Sequence, residues 1–153
     1  MQSQKSIKES QTFRERIINY FPFKKTALYP WFLKMLGMKI GDNVQFSGDA
    51  KFKIRGKISN ISIGNNVRIG KNVDIRNRED GQIILNNKCY IDDDVRLVAA
   101  RNGKIDLDEG TSIGKGTVVN SGGDFITGKY CLIAGNANIN SSSHGTRNDK
   151  FIK

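Results

Sequence analysis

The stretch that decides the fold runs from Ile61 to Asp149, where four segments of similar length align almost without gaps. They read ISIGNNVRIGKNVDIRNREDGQ (61–82), IILNNKCYIDDDVRLVAARNGK (83–104), IDLDEGTSIGKGTVVNSGGD (105–124) and FITGKYCLIAGNANINSSSHGTRND (125–149). The first two segments are 22 residues long and the third is 20. A repeat of this length indicates one structural unit copied along an axis, with each copy packing on the next. The sequence therefore predicts a solenoid.

Within each segment, a large residue recurs every six positions, and neither the helical period of 3.6 nor the strand period of 2 accounts for that spacing. A small or β-branched residue stands four places after most of these positions. Three such hexads predict one triangular coil of short parallel strands in which both positions point inward, while glycines and asparagines form the turns, some with positive φ. The positions with period six are Ile63, Ile69, Ile75, Leu85, Ile91, Leu97, Leu107, Ile113, Val119, Thr127, Ile133 and Ile139; the small positions are Val67, Val73, Cys89, Val95, Thr111, Thr117, Cys131 and Ala137.

A weaker coil fits before the repeat, at Ile40, Phe46 and Phe52, which makes about five coils. With strands about 4.8 Å apart, the predicted prism is roughly 24 Å tall. Each coil exceeds three hexads, and the surplus residues always follow the third hexad. We therefore expect them to project from one edge of the prism, where irregular loops on a rigid scaffold would carry function.

The composition fits one domain without a membrane-spanning segment. The chain has 153 residues, 37% of them hydrophobic, and a net charge of +10. No apolar run approaches the roughly 18 residues that span a bilayer, and the N-terminus has no hydrophobic signal segment, so we expect a cytoplasmic protein. Nucleic acid, an anionic membrane and a phosphorylated cofactor are all compatible with the charge; since charge alone supports a nucleic-acid partner, we do not expect one.

The two cysteines, Cys89 and Cys131, occupy the small inward position two coils apart. That separation corresponds to roughly 9–10 Å at the spacing of strands, beyond the ~7 Å Cα distance that a disulfide allows. We expect both to be reduced core residues.

Residues 1–37 have a different character, with seven cations, two anions and a net charge of +5. The spacing of Phe13, Ile17 and Phe21 predicts a helix that Pro22 interrupts, and Pro30 predicts the start of a second short helix that stops at Gly37. One interpretation is a helical cap on the open end of the solenoid, which terminal repeats usually require. The other is a basic, aromatic segment resting peripherally on the inner face of an anionic membrane, and the two are compatible.

The hexads IGNNVR, IGKNVD and IGKGTV resemble those of the hexapeptide-repeat acyltransferases, over roughly residues 40–145. The last segment, TGKYCLIAGNANINSSSHGTR, is similar to the part of the sugar O-acetyltransferases that ends in the catalytic histidine. The resemblance implies a mainly β fold, a left-handed parallel β-helix of about five coils with a short N-terminal helical segment. We divide the chain into that segment (1–37), the β-helix (38–145) and a C-terminal tail (146–153).

The same resemblance implies the chemistry. His144, the only histidine, lies five residues after the inward Ile139, where the family has its general base. A neutral imidazole would take the proton of a saccharide hydroxyl as that oxygen attacks the thioester carbonyl of acetyl-CoA, the co-substrate. Backbone N–H groups of an adjacent turn would stabilise the oxyanion. The family also implies a homotrimer.

Neighbouring residues complete the predicted site. Asn120 lies one coil below Asn140, and both are candidates to hold the acceptor sugar, although stacked asparagines also serve as turn residues. Asp124 either orients His144, binds a sugar hydroxyl or is a solvated turn residue. Arg147 and Lys150 are the candidate ligands of the CoA phosphates. No metal is predicted, since a single histidine excludes a zinc site made of three.

The sequence departs from the family after His144, where only nine residues follow. Relatives usually continue for several coils that bind the pantetheine and the adenosine phosphates. The alternative to an O-acetyltransferase is thus a non-catalytic or truncated trimeric scaffold that lacks a complete CoA site. The resemblance does not specify the acceptor sugar, and an acyl-carrier protein is an alternative donor.

Overall fold

Fifteen short strands and two short helices form the part of the chain that the structure, a computed structural model, describes: residues 13–22 and 24–142. Helix α1 covers 13–19, helix α2 covers Leu28–Met35, and a 3₁₀ turn covers Ile58–Asn60. The strands are β1 (Lys39–Ile40), β2 (Gln45–Phe46), β3 (Lys51–Ile54), β4 (Ile61–Ile63), β5 (Arg68–Ile69), β6 (Asp74–Asn77), β7 (Gln82–Leu85), β8 (Tyr90–Ile91), β9 (Arg96–Ala99), β10 (Lys104–Leu107), β11 (Ser112–Ile113), β12 (Val118–Ser121), β13 (Phe125–Ile126), β14 (Leu132–Ile133) and β15 (Asn138–Asn140). Neither helix in the described ranges has the length and apolar content needed to cross a bilayer.

The strands form three parallel sheets, and each successive trio of strands contributes one strand to every sheet. Sheet A has the order β1-β4-β7-β10-β13, sheet B the order β2-β5-β8-β11-β14, and sheet C the order β3-β6-β9-β12-β15. The chain therefore winds through five coils. The prediction of a parallel β-solenoid of about five coils is confirmed.

The pairing register agrees with the repeat alignment. In sheet A, Ile61 pairs with Ile83, Ile83 with Ile105, and Ile105 with Phe125. The first residues of the four repeats are thus stacked on one another. Because the strands of a middle coil bond to the strands of the coils on either side, copying the hexad also copies the hydrogen-bond partner.

The inward positions of the first four coils form one continuous core. Large residues such as Ile69, Leu97 and Val119 have no exposed surface, and the small positions from Val67 to Thr117 are buried beside them. The fifth coil differs, since its inward Thr127, Ile133 and Ile139 are only half-buried. Among the described residues, none lies over that coil.

The turns have a constant design. The third residue after a large inward position adopts a positive φ between hexads, as in Asn66 (57°) and Asn72 (55°). Other residue types adopt the same conformation where the hexad is less regular, such as Lys88 (60°) and Tyr130 (55°). Asparagine and glycine suit this position because they enter the left-handed region at the lowest cost.

The surplus residues after the third hexad project less than the sequence predicts. In the second coil, Arg76 and Asn77 continue β6, and Gln82 already belongs to β7, so only residues 78–81 form the turn. The physical reason is pairing: Asn77 lies beside Ala99, and Gln82 beside Lys104. Extending both strands satisfies backbone groups that a projecting loop would leave to solvent.

The two helices pack on the first coil. Ile18, Tyr29 and Leu33 have no exposed surface and belong to the core of the solenoid. The ring of Tyr29 meets that of Phe46 edge-on with 4.9 Å between centroids. The amide of Asn19 pairs with the backbone of Phe52 on the side of β3 that faces away from β6, with two hydrogen bonds of 2.9 Å.

The predicted helix positions need two corrections. α2 begins at Leu28, two residues before Pro30, because the missing N–H of proline is tolerated anywhere in the first turn. In α1 the fully buried residue is Ile18, whereas Phe13 is exposed, so the spacing of Phe13, Ile17 and Phe21 locates the helix but not its buried side. Gly37 follows α2 with φ of 101°, as expected of a helix stop.

Candidate functional site

The candidate site lies at the sheet C edge, defined as the edge where β3, β6, β9, β12 and β15 end. The side chains of Asn120 and Asn140 are in direct register there, one coil apart. The alternation of β12, in which Val119 and Ser121 are buried, places Asn120 on the outer face. The structure thus brings together two of the predicted substrate ligands; Asn140 is exposed and Asn120 is half-buried.

Asn140 also shapes the chain that leads toward His144. Its Oδ1 accepts hydrogen bonds from the Ser142 backbone N–H (3.2 Å) and from the Ser142 hydroxyl (2.6 Å). An asparagine that bonds two residues ahead turns its own backbone. The Nδ2 group of Asn140 makes no hydrogen bond among the described residues and is a free donor for a ligand oxygen.

The inner face of the same edge is polar in the second, fourth and fifth coils. The position held by Ile54 in the first coil is Asn77 in the second, Ala99 in the third, Ser121 in the fourth and Ser141 in the fifth. The Ser141 hydroxyl donates to the Gly123 carbonyl (3.0 Å), and the buried Ser121 hydroxyl donates to that carbonyl as well. These bonds satisfy the serines internally and hold the turn at 122–124 against the end of β15.

Asp124 has a structural partner. Its Oδ1 accepts a hydrogen bond of 3.1 Å from the backbone N–H of Lys104, at the start of β10. The carboxylate thus ties the turn that ends the fourth coil to the first strand of that same coil. A role toward His144 stays a prediction, because His144, Arg147 and Lys150 all lie outside the described residues.

Four cations at the lower end of the same edge were not among the predicted site residues. Lys53, Arg55, Arg76 and Arg78 line one small pocket of about 40 Å³ in the first two coils. Arg76 is paired with Asp74, whose hydrogen bond and charge raise the pKa of that guanidinium. Within residues 13–22 and 24–142, no carboxylate lies within ion-pairing distance of the other three. The sequence already indicates this cluster, since Arg55 and Arg78 occupy equivalent positions after the third hexads of the first two coils.

The outer column of sheet C therefore changes its chemistry from coil to coil. It carries, in register, Lys53, Arg76, Val98, Asn120 and Asn140. With strands about 4.8 Å apart, the cations lie roughly 14–19 Å from Asn140. Amides suit hydroxyl groups, and guanidinium groups suit carboxylates and phosphates, so this column can bind an extended molecule that is both hydroxylated and anionic.

No group of three or more His, Cys, Asp or Glu side chains within the described ranges is arranged to hold a metal ion. Compared with known proteins, the chain has no significant match to a protein-family model, to a curated protein or to a solved structure. The resemblance to the hexapeptide-repeat acyltransferases accordingly rests on the hexads and on the position of His144. The structure adds a parallel β-solenoid of five coils whose sheet C edge carries the amides of Asn120 and Asn140.

Proposed function

We propose that this protein transfers an acetyl group from acetyl-CoA to a hydroxyl of a saccharide, with His144 as the general base. The observation that carries the proposal is the register of Asn120 on Asn140 at the sheet C edge. His144 follows Asn140 by four residues, a span of at most about 14 Å. The length of chain between them therefore allows the amides and the imidazole to serve one acceptor.

Each residue has a separate role in the proposed reaction. The Asn120 and Asn140 amides hold sugar hydroxyls, which fixes the reacting oxygen near the imidazole. His144 accepts the proton of that hydroxyl while the oxygen attacks the thioester carbonyl. Arg147 and Lys150 bind the phosphates of the donor. The collapse of the tetrahedral intermediate then breaks the C–S bond, and the imidazolium returns its proton to the leaving sulfur. CoA leaves as the free thiol, together with the acetylated sugar.

The finer features of the family belong to the same proposal. These are the left-handed winding of the β-helix, a homotrimer and a cytoplasmic location. For the 17.1 kDa chain, light scattering should give three times that mass if the trimer forms. The homotrimer is proposed by analogy with the hexapeptide-repeat acyltransferases, whose active sites lie between subunits.

The test is the release of free thiol when the purified chain is mixed with acetyl-CoA and a panel of saccharides, with mass spectrometry of the acceptor. We expect an acetylated acceptor and a stoichiometric thiol, and we expect His144→Ala to abolish both. Thr146→Ala, a change of similar size two residues away, should retain activity. Circular dichroism and the melting temperature establish that the variants fold.

Two results would contradict the proposal in different ways. Full activity of His144→Ala would remove the histidine from the mechanism. No thiol release by the folded wild type with any acceptor would favour the non-catalytic scaffold. The assay is then repeated with an acylated acyl-carrier protein in place of acetyl-CoA. Transfer from that protein would show that the enzyme uses a different donor, and no transfer would show that it is inactive.

A further inference from the structure

Helix α2 has a second apolar face that nothing in the described structure covers. Its inner face carries Tyr29 and Leu33, which have no exposed surface. Its outer face carries Leu28, Trp31 and Met35, which are 54%, 61% and 68% exposed. Residues spaced by three and seven lie on one side of a helix, so the three form a single stripe. A stripe of large apolar side chains in water is unfavourable unless it contacts a partner.

Cations flank this stripe. Lys25 and Lys34 are exposed, and together with Trp31 they line one cleft of about 520 Å³ between α2 and the first coil. The opposite wall is formed by residues 40–47, which include Asp42. Over residues 13–22 and 24–37 the cations outnumber the acids by five to one: Arg14, Arg16, Lys24, Lys25 and Lys34 against Glu15.

The combination selects an anionic lipid surface among the partners of an apolar stripe. Tryptophan is favoured at membrane interfaces because its ring is apolar and its N–H is polar. Each lysine beside it strengthens partitioning onto an anionic bilayer roughly fivefold. α2 has eight residues, far too few to span, so it would lie in the plane of the interface.

We propose that the surface formed by Leu28, Trp31, Met35, Lys25 and Lys34, called here the Trp31 surface, docks on an anionic phospholipid bilayer. The apolar stripe enters the boundary between headgroups and acyl chains, and the two lysines contact lipid phosphates. The inner face of α2 stays packed on the first coil, so docking needs no unfolding. The proposal is independent of the acyl-transfer reaction.

The sole tryptophan of the chain makes the unmodified protein its own probe. We expect the Trp31 emission to shift to shorter wavelength on adding vesicles of phosphatidylcholine and phosphatidylglycerol, and lipids brominated in the upper acyl chain should quench it. Vesicles of phosphatidylcholine alone should have a much smaller effect, and raising the salt should weaken the response. No shift with the anionic vesicles would overturn the proposal.

Variants then assign the binding to the Trp31 surface, with co-sedimentation as the measurement. Lys25→Ser/Lys34→Ser should weaken partitioning about thirtyfold, the effect of two interfacial lysines. The matched control Arg96→Ser/Lys115→Ser removes the same charge from coils three and four and should have little effect. Equal losses in both would show attraction by net charge alone and refute a specific surface.

The apolar stripe is tested separately. Trp31→Ala/Met35→Ala should weaken partitioning about tenfold or more, whereas Ile126→Ala/Leu132→Ala, at exposed apolar positions of the fifth coil, should not. A Trp31 shift that depends on protein concentration without lipid, together with an increased mass in light scattering, would identify the stripe as a contact between copies and overturn the proposal.

Discussion

A cysteine occupies the same inward position in the third and the fifth coil, and the two thiols have different surroundings. Both are free, with Thr111 between them in register. Cys89 is buried, and burial raises its pKa to about 11, while its Sγ lies 3.4 Å from the Asp108 carbonyl oxygen. Cys131 is half-buried in the less covered coil.

We expect alkylation to distinguish these thiols. At pH 8 iodoacetamide should modify Cys131 of the native protein well before Cys89, because only the thiolate reacts and Cys89 stays protonated and covered. In denaturant the rates should be similar. Mass spectrometry of the labelled peptides measures the labelling rate of each cysteine. If Cys89 were labelled as fast as Cys131 in the native protein, the prediction would be wrong and the core would have to open.

The same shift has a consequence for stability. The folded-state pKa of Cys89 is raised, so the unfolded thiol ionises first as pH rises from about 9 to about 11. The contribution of the buried thiol to the free energy of unfolding is thus fully present below about pH 9 and declines between about pH 9 and pH 11.

The turn between two strands depends on how closely successive coils approach. At Gly70 an added Cβ would lie 2.6 Å from the backbone nitrogen of Asp93 in the next coil, and neither backbone can move without disturbing the ladder. At Gly116, with φ of 71°, the nearest atom is Oδ1 of Asn136, the end of a side chain. Position 116 corresponds to positions that hold asparagine in other turns, such as Asn72.

We therefore expect Gly70→Ala to lower the free energy of unfolding by about 1–3 kcal/mol. Gly116→Asn should cost less than about 1 kcal/mol, because asparagine tolerates a positive φ and its neighbour can rotate away. Urea unfolding followed by circular dichroism measures both. Similar losses for the two variants would contradict the distinction between a backbone contact and a side-chain contact.

The N-terminal helices close the first coil through one side chain in particular. The amide of Asn19 supplies Phe52 with the two hydrogen bonds that a further strand beside β3 would make. The Asn19 Oδ1 accepts from the Phe52 N–H, and the Asn19 Nδ2 donates to the Phe52 carbonyl. Asn19→Ala should cost about 1–3 kcal/mol because both backbone groups lose their partner. Asn60→Ala removes an exposed contact of 3.4 Å and should change stability by less than about 0.5 kcal/mol.

Hydrogen exchange provides the local measurement for this prediction. In Asn19→Ala, the Phe52 amide should exchange faster, whereas amides of the middle coils should exchange as in the wild type apart from the change in global stability. An unchanged rate at Phe52 would mean that the Asn19 bond does not protect the edge of β3.

For the molecule as a whole, the solenoid was predictable because its period is local. Each hexad specifies an inward residue and a turn, and stacking reproduces the register, so the alignment of Ile61, Ile83 and Ile105 follows from the sequence. The pairing of Asn19 with Phe52 was not predictable, since it joins residues 33 apart in different elements. The true span of the turn at 78–81 was missed because strand lengths depend on both neighbouring coils.

The candidate site was predictable to the same degree as the register. The stacking of Asn120 on Asn140 follows from counting residues after the inward position. The stacking of Lys53 on Arg76 follows from the same count, whereas the bond between Asp124 and Lys104 depends on the directions of side chains at a sheet edge. Periodicity contains no information about those directions.

The central claim is that acyl transfer takes place at the sheet C edge beside Asn140, and steady-state kinetics of one pair of variants tests it most directly. Asn140→Ala should raise KM for the saccharide about tenfold, the loss of one or two hydrogen bonds, and leave KM for acetyl-CoA unchanged. Asn138→Ala, on the same strand and equally exposed, should behave as the wild type. Identical acceptor kinetics for Asn140→Ala and Asn138→Ala, in a protein that is active, would contradict the claim.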